Sequence, residues 1–202
     1  MNSARVLELL REQDLTIAFA ESMTGGYASY QLIKNPGAST SIKMSVVAYS
    51  IEAKEKLLGI PLNEITKYSV VSTEIALMMA KNIRKLAKSD VGVGVTGNAG
   101  PTTQENTEDS VAYIGIANGE KEYVYRFKFF DLSREEAINK CVKYIYDRLE
   151  EILEWIDPWL TGDKGTNIHL FIRKNVVFIR GVCYNTFVNK GGFIWKGLLR
   201  KG

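Results

Sequence analysis

Residues 16–26 read TIAFAESMTGG and combine a short apolar stretch, a sharp turn and the start of a helix. The first residues are apolar and partly β-branched, which predicts a buried strand. Ser22 follows at the carboxyl end of this strand, and Thr24 can cap the helix that comes next. Gly25 and Gly26 then occupy its first turn, where backbone N–H groups have no partner within the helix. A hydroxyl beside free amides can attack a carbonyl and stabilise the resulting oxyanion.

The same residue types also suit an ordinary connection between a strand and a helix, or a simple phosphate cradle. Composition restricts which residues could activate Ser22 for catalysis, because the only histidine of the chain is His169. A Ser-His-Asp triad or a histidine-rich metal site is therefore excluded from residues 1–155. If Ser22 is a nucleophile, its base must be a lysine, a tyrosine or a carboxylate.

Charge is distributed unevenly along the 202 residues. Residues 1–154 hold 18 lysines and arginines against 21 acidic residues, whereas residues 155–202 hold 8 against 2. The acidic first part gives no reason to expect nucleic-acid binding. We also expect no signal peptide, no membrane span and a cytoplasmic location. The two cysteines, Cys141 and Cys183, provide neither a disulfide framework nor a metal-binding spacing, so no metal and no cofactor are expected.

Strand and helix patterns alternate through residues 1–155 and end in a hairpin and a long helix. We predict an α/β fold, a layered α/β/α domain with a mixed, mainly parallel sheet and a C-terminal hairpin-helix. The predicted elements after the first strand and its helix are strand 42–50, helix 51–58, a helix capped by Ser72, strand 90–96, hairpin strands 110–117 and 122–130 turned at Asn118-Gly119, and a helix from Ser133 to about Trp155 with a capping box at Glu136.

Two segments further along the sequence also contain candidate residues for a site around Ser22. Tyr49 ends the second strand, and it shares an edge with Ser22 if the strands are parallel. Lys54 lies in the helix that follows, where the pattern on its own favours an exposed lysine. The strand at 90–96 runs into a second glycine-rich turn, Gly97-Asn98-Ala99-Gly100, at the edge where α/β sheets bind ligands.

Four segments carry a resemblance to a known family: AESMTGG at 20–26, VVAYSIEAKEKLLGI at 46–60, VVSTEIA at 70–76 and GVTGNAGP at 94–101. Over residues 3–153 the chain resembles the C-terminal domain family of the competence/damage-inducible protein CinA, also called the nicotinamide-nucleotide amidase (PncC) family. The resemblance implies hydrolysis of nicotinamide mononucleotide to nicotinate mononucleotide and ammonia, a step in NAD recycling.

The resemblance also implies roles for single residues. Ser22 is similar in position to the family's nucleophile, and Tyr49 and Lys54 are similar to its partners in a Ser–Lys arrangement. We expect a pyridine mononucleotide as the substrate and a homo-oligomer as the assembly. A non-catalytic nucleotide-binding module and a competence- or DNA-damage-associated protein remain as alternatives. The residues expected to bind the substrate are Thr24, Gly25, Gly26, Thr96, Gly97, Asn98 and Gly100.

The sequence departs from the family pattern at two places. Met23 follows Ser22 where the family usually has cysteine, and the loop at 102–109 is polar where the family is usually glycine-rich. The larger N-terminal domain of many family members has no counterpart in this sequence, so we expect its function to be missing.

Residues 156–202 form a basic, glycine-containing and aromatic extension in which residues 176–179 can form a strand. Three roles compete for it, namely a poorly ordered extension, a cap or oligomer contact, and a basic arm for nucleic acid or membrane. Composition favours the first.

Overall fold

The computed structural model describes residues 1–100 and 109–154, together with the backbone of four strands between residues 171 and 198. The chain divides into two compact units, Met1–Ile156 and Asp157–Gly202. We expected a boundary after residue 155, and the division follows residue 156. His169 and residues 101–108, which hold all but the last residue of the polar loop at 102–109, lie outside the described residues.

Helices and strands alternate in the first unit. In chain order they are α1 (Ser3–Glu12), β1 (Ile17–Glu21), α2 (Tyr27–Ile33), a 3₁₀ turn (Ala38–Thr40), β2 (Ile42–Val47), α3 (Ile51–Leu58), α4 (Leu62–Tyr68), α5 (Thr73–Ala87), β3 (Val91–Asn98), β4 (Val111–Asn118), β5 (Lys121–Lys128) and α6 (Arg134–Glu154).

The five strands of this unit form one sheet in the order β2-β1-β3-β4-β5. Strand β1 pairs in parallel with β2 and with β3. The pairs β3–β4 and β4–β5 are antiparallel. The predicted α/β fold, with a mixed sheet that closes on a hairpin and a helix, is confirmed. Since the first three strands run in one direction, their carboxyl ends share one edge, where Ser22 follows β1 and Tyr49 follows β2.

The two faces of the sheet carry side chains of different size. Ile17 and Phe19 pack with the valines of β3 against α1, α2 and α6. The opposite face carries Ala18 and Ala20, and α3, α4 and α5 pack there. Helix α5 lies very close to this face. A Cβ atom added at any of three glycines of the sheet would collide with the backbone of α5; these are Gly92, Gly94 and Gly115.

Helix ends that depend on local chemistry were predicted correctly. Ser72 Oγ accepts a hydrogen bond from the N–H of Ile75 at 3.2 Å and caps α5. At α6 the N–H of Ser133 donates to Glu136 Oε2 at 2.8 Å and the N–H of Glu136 donates to Ser133 Oγ at 3.3 Å, which completes the capping box.

Three local predictions differ from the structure. The N-cap of α2 is Gly26, with φ at 94°, and the predicted cap at Thr24 is wrong. Helix α4 was not foreseen, because Pro61 and Ser69 bound a segment of only seven residues. The hairpin pairs Asn118 with Lys121, so its turn is Gly119-Glu120, one residue beyond the predicted position.

The second unit contains a four-stranded antiparallel sheet in the order β6-β7-β8-β9. Its strands are β6 (Phe171–Arg173), β7 (Val176–Ile179), β8 (Val182–Asn189) and β9 (Gly192–Leu198). The strand expected at 176–179 is confirmed, and strands occur in the segment for which composition favoured a poorly ordered extension. Within residues 1–100 and 109–154, none of the helices combines the length and apolar composition that crossing a bilayer requires.

Candidate active site

Ser22 and Lys54 lie in direct contact, although they are 32 positions apart in the chain. Lys54 Nζ donates a hydrogen bond to Ser22 Oγ at 3.1 Å. Both side chains are buried, with 7% of Ser22 and 1% of Lys54 exposed. The N–H of Ser22 donates to the carbonyl of Val95 at 3.0 Å, which continues the pairing of β1 with β3 and fixes the position of the serine.

The Lys54 amine has two more acceptors, the carbonyl oxygens of Ala48 at 2.8 Å and Tyr49 at 3.5 Å. None of these three acceptors is a carboxylate, so among the described residues no hydrogen-bond partner compensates a buried positive charge. Burial lowers the pKa of Lys54 from its ordinary 10.5 to about 8. About a tenth of the amine is therefore neutral at pH 7, and this form can act as a base.

The local sequence explains why a lysine is buried here. Ser50 Oγ accepts from the N–H of Ala53 at 3.1 Å and caps α3 directly after the end of β2. Ile51, Lys54 and Leu58 share one helical face at the spacing i, i+3, i+7, and Lys54 and Leu58 are buried. The pattern-based expectation of an exposed lysine is thus wrong. Ile51 is itself 38% exposed, so Leu58 is the only buried apolar residue on this face, and the helix pattern gives little signal for the burial of Lys54.

The carboxylate of Glu21, the residue directly before Ser22, binds backbone N–H groups at the start of α2. It is fully buried. Glu21 Oε2 accepts from the N–H groups of Gly26 and Ala28 at 3.0 Å, and Oε1 accepts from Ser29 at 2.8 Å. The sequence pattern did not single out this residue, because a carboxylate at the end of a buried strand has no periodic signature.

The amides that we expected to be free at Gly25 and Gly26 are both occupied. The N–H of Gly25 donates to the carbonyl of Ser22 at 3.1 Å, and that of Gly26 donates to Glu21. In the described part of the chain, the N–H groups of Met23 and Thr24 donate no hydrogen bond. A binding role for the glycines stays a prediction, and the unpartnered donors lie one and two residues after the serine.

Thr24 is a second unsatisfied group at this turn. Only 3% of the residue is exposed, and Thr24 Oγ1 has no hydrogen-bond partner among the described residues. A buried polar atom without a partner is costly, and in native structures it commonly marks a place where a ligand or water binds. Its role in substrate binding stays a prediction.

Met23 and Gly97 link the two glycine-rich turns. Met23 is 3% exposed, and a Cβ atom on residue 97 would collide with Met23 Sδ and with the backbone of Val111 and Ala112. Gly97 therefore makes room for the residue that follows Ser22, and its predicted contact with substrate stays a prediction.

Tyr49 approaches the site through its backbone. Its carbonyl accepts from Lys54, whereas its side chain is 59% exposed and its hydroxyl accepts from Arg134 Nη2 at 3.0 Å. Arg134 Nη1 donates to the carbonyl of Gly100 at 2.7 Å. Among the described residues the Tyr49 hydroxyl forms no hydrogen bond with Ser22 or Lys54. Arg134 was missed, and its signal was a cation in the first turn of a helix, where the helix dipole disfavours it.

Thr96 and Asn98 are buried parts of β3 rather than exposed loop residues. Thr96 Oγ1 donates to the carbonyl of Val70 at 2.9 Å, so it ties the segment before α5 to the sheet. The exposed fractions are 1% for Thr96 and 5% for Asn98. Substrate contacts by these two residues stay predictions.

Comparison with known proteins places the chain in a family. The family model of the CinA C-terminal domain matches residues 2–153. The chain belongs to the CinA C-terminal domain family. Two CinA-family relatives are proteins named competence-damage inducible, from Caldanaerobacter subterraneus subsp. tengcongensis, 37% identical over 150 residues, and Thermoanaerobacter pseudethanolicus, 46% identical over 121 residues. These matches cover 74% and 59% of the chain, and they cover 36% and 29% of the relatives. The chain thus spans about a third of the length of the curated relatives it matches.

Solved CinA-superfamily structures have the same fold. A competence damage-inducible protein A from Klebsiella pneumoniae superposes with a TM-score of 0.74 at 26% identity and covers 77% of this chain and 96% of its own. A CinA-superfamily protein from Enterobacter cloacae gives a TM-score of 0.72 at 27% identity and covers 75% and 89%. The shared fold therefore extends over nearly the whole of those CinA proteins.

Proposed function

We propose that the chain hydrolyses the carboxamide of nicotinamide mononucleotide, with Ser22 as the nucleophile and Lys54 as the base. The observation that carries the proposal is the 3.1 Å hydrogen bond between Lys54 Nζ and Ser22 Oγ in a buried site. Burial lowers the pKa of Lys54, so the amine loses its proton readily and then accepts the hydroxyl proton of the serine. The choice of substrate rests on the resemblance of segments 20–26 and 46–60 to nicotinamide-nucleotide amidases.

In the first half of the proposed reaction, Ser22 Oγ attacks the carboxamide carbon while its proton passes to Lys54 Nζ. The carbonyl oxygen becomes an oxyanion, and the unpartnered N–H groups of Met23 and Thr24 are its donors. One such donor commonly contributes about 3 kcal/mol to the transition state. The C–N bond then breaks, Lys54 returns the proton to the leaving nitrogen, and ammonia departs from an acyl-enzyme ester.

In the second half, water attacks the ester carbon of the acyl-enzyme. Lys54 accepts a proton from this water and returns it to Ser22 Oγ as the ester bond breaks, which releases nicotinate mononucleotide and restores the free enzyme. The two remaining N–H bonds of the neutral amine hold it against the Ala48 and Tyr49 carbonyls throughout. No histidine is required, in agreement with its absence from residues 1–155.

The substrate phosphate needs a cation or free amides, and Arg134 is the candidate. Its guanidinium bridges the Tyr49 hydroxyl and the Gly100 carbonyl at the end of the second glycine-rich turn. The start of α2 is unsuited to the phosphate, because Glu21 already occupies three of its amides. Guanidinium groups match phosphate oxygens well in charge and geometry.

Ammonia release from nicotinamide mononucleotide tests the proposal directly. We expect turnover by the parent chain and a loss of about a thousandfold or more in Ser22→Ala and in Lys54→Met, because each change removes one half of the reacting pair. Ser72→Ala is the matched control. It is the same substitution at a helix cap outside the site, and about 1 kcal/mol of stability is its expected cost.

A different result would favour the binding-module alternative. If the parent chain binds the nucleotide but releases no ammonia, and Ser22→Ala binds it equally well, the hydroxyl has no chemical role. Full turnover in Ser22→Ala would refute the nucleophile assignment.

A further inference from the structure

The turn that carries Ser22 is held from inside by a buried negative charge. No part of Glu21 is exposed, and its two carboxylate oxygens accept three backbone N–H groups, those of Gly26, Ala28 and Ser29. In the described part of the chain it forms no salt bridge with a cation. Its charge is compensated instead by the amides and the dipole at the start of α2.

Glu21 is fixed at its backbone as well as at its side chain. Its main chain pairs with Val47 on one side and Val95 on the other, and its carbonyl accepts from the N–H of Ala48 at 2.8 Å. One end of the turn is therefore set by the sheet. The other end is set by the carboxylate, which accepts hydrogen bonds from backbone N–H groups five to eight residues further along the chain.

The residues between these two ends have little freedom. Ser29 Oγ donates to the carbonyl of Gly26 at 3.0 Å, and Ser45 Oγ on β2 donates to Ser29 Oγ at 2.8 Å, so the start of the helix is also tied to the sheet edge. Within this closed loop the N–H groups of Met23 and Thr24 are the ones that donate no hydrogen bond among the described residues.

We propose that Glu21 is a positioning residue for nucleophilic attack, holding the turn in the shape that presents the Met23 and Thr24 amides beside Ser22 Oγ. This rests on the proposed role of Ser22 as the nucleophile. Glu21 does not touch the substrate. It acts by occupying the helix amides and thereby fixing where the oxyanion donors stand.

Glu21→Gln tests the proposal, because an NH₂ group then replaces one acceptor oxygen and faces backbone N–H groups. The first readout is the rate at which a fluorophosphonate labels Ser22, a reaction in which the Oγ–P bond forms and fluoride leaves. The second is the pair kcat and KM for ammonia release from nicotinamide mononucleotide. We expect labelling and kcat to fall by about tenfold or more, with KM changed by less than about threefold, because small displacements of catalytic groups are costly.

Asp90→Asn is the matched control. The Asp90 carboxylate accepts from the N–H of Thr16 at 2.8 Å and from its hydroxyl at 2.6 Å, at the opposite end of β1. The same acid-to-amide change there should leave the labelling rate within about twofold of the parent, since a substitution far from Ser22 with no shared partners does not couple to it.

Each outcome decides the proposal. Folded Glu21→Gln that labels at the parent's rate, or that changes only KM, overturns it, as does a parent chain that is not labelled at Ser22. If the parent is labelled but releases no ammonia, the proposed substrate is refuted and the labelling rate of Glu21→Gln alone decides the positioning role. Should Glu21→Gln not fold, Glu21→Asp keeps the charge but cannot reach all three amides, and labelling at the parent's rate would then overturn the proposal.

Discussion

Lys54 is a buried amine whose three neighbours are a hydroxyl and two carbonyl oxygens. In the protonated form all three N–H bonds point at acceptors, but no carboxylate in the described part of the chain pairs with the charge. In the neutral form two N–H bonds still serve the carbonyls of Ala48 and Tyr49, and the lone pair faces the Ser22 hydroxyl. The same geometry thus fits the resting amine before attack and the ammonium after it.

The first prediction at this scale concerns pH. Because burial lowers the pKa of Lys54 to about 8, the base form increases as pH rises through 8. We expect kcat/KM for the amide, and the rate of Ser22 labelling, to rise about tenfold per pH unit below this value and to level off above it. A profile that is flat between about pH 6.5 and 9.5 would contradict the assignment of Lys54 as the base.

The pH dependence of stability provides an independent check on the pKa of Lys54. The pKa of Lys54 is about 8 in the folded chain and near 10.5 when unfolded, so between these values the unfolded chain binds the additional proton. The free energy of unfolding should therefore rise with pH by about 2 kcal/mol between pH 7 and 9.5 relative to Lys54→Met. Denaturant titrations of both chains at the two pH values measure this difference.

The second prediction separates the tyrosine from the arginine. Since the Tyr49 hydroxyl contacts Arg134 and not the reacting pair, Tyr49→Phe should lower kcat by less than about fivefold. Arg134→Ala should raise KM for the mononucleotide by about tenfold or more, because it removes the cation proposed for the phosphate.

The control for Arg134→Ala is Arg5→Ala, which removes an exposed arginine that pairs with Glu8 and Glu12 on α1. A loss of kcat by about a hundredfold in Tyr49→Phe would instead favour a proton relay through the hydroxyl.

Residue chemistry was predictable where it depends on composition and was hidden where it depends on the fold. The absence of histidine left a lysine, a tyrosine or a carboxylate as the base, the family resemblance pointed to Lys54, and Lys54 does contact Ser22. The occupied amides of Gly25 and Gly26 could not be foreseen, because their partners are set by the side chain of Glu21 and by the turn itself.

At the scale of elements, the closeness of α5 to the sheet depends on residues that lack side chains. A Cβ atom on Gly94 would lie 2.5 Å from the backbone nitrogen of Ala80 and closer still to the carbonyl oxygen of Ala76. These are backbone atoms, so the helix as a whole would have to move.

We therefore expect Gly94→Ala to lower the free energy of unfolding by about 3 kcal/mol, as overpacking of a tight core does. The matched control is Gly119→Ala in the hairpin turn, where no atom lies within 4 Å of the added Cβ. With φ at 57°, that change should cost about 1 kcal/mol. Equal losses in the two variants, measured in denaturant, would contradict the close packing of α5.

Elements were predictable from sequence where their ends are local. Ser72 and the Ser133–Glu136 pair sit at the helix starts that they cap, and both were found. The start of α2 was misplaced because its first amides donate to Glu21, a residue in the preceding strand, and capping patterns consider only the residues adjacent to a helix end.

At the scale of the whole molecule, Ser22, Lys54 and Arg134 all belong to the unit Met1–Ile156. The family match, residues 2–153, lies in the same unit. We expect a chain ending after Ile156 to retain helical circular dichroism and to label at Ser22 within about twofold of the full chain, as expected for an independent folding unit. Loss of labelling in the shortened chain, with its helices intact, would show that residues 157–202 contribute to the site.

The order of strands in the sheet could not be read from the sequence. The alternation of strand and helix patterns predicts parallel neighbours, and β1 does have two of them. That β1 lies between β2 and β3, however, depends on which crossovers bring Ile17 beside both Ile42 and Val91, and no local pattern records it.

Strand β2 forms one border of the described five-stranded sheet, because its only neighbour there is β1. Helix α3 and Lys54 follow directly from this border strand, whereas Ser22 follows a strand that is paired on both sides. Opening of a border strand requires less free energy than global unfolding. We therefore expect the base to detach while the nucleophile stays in place, so warming should break the Ser22–Lys54 hydrogen bond in molecules that are otherwise still folded.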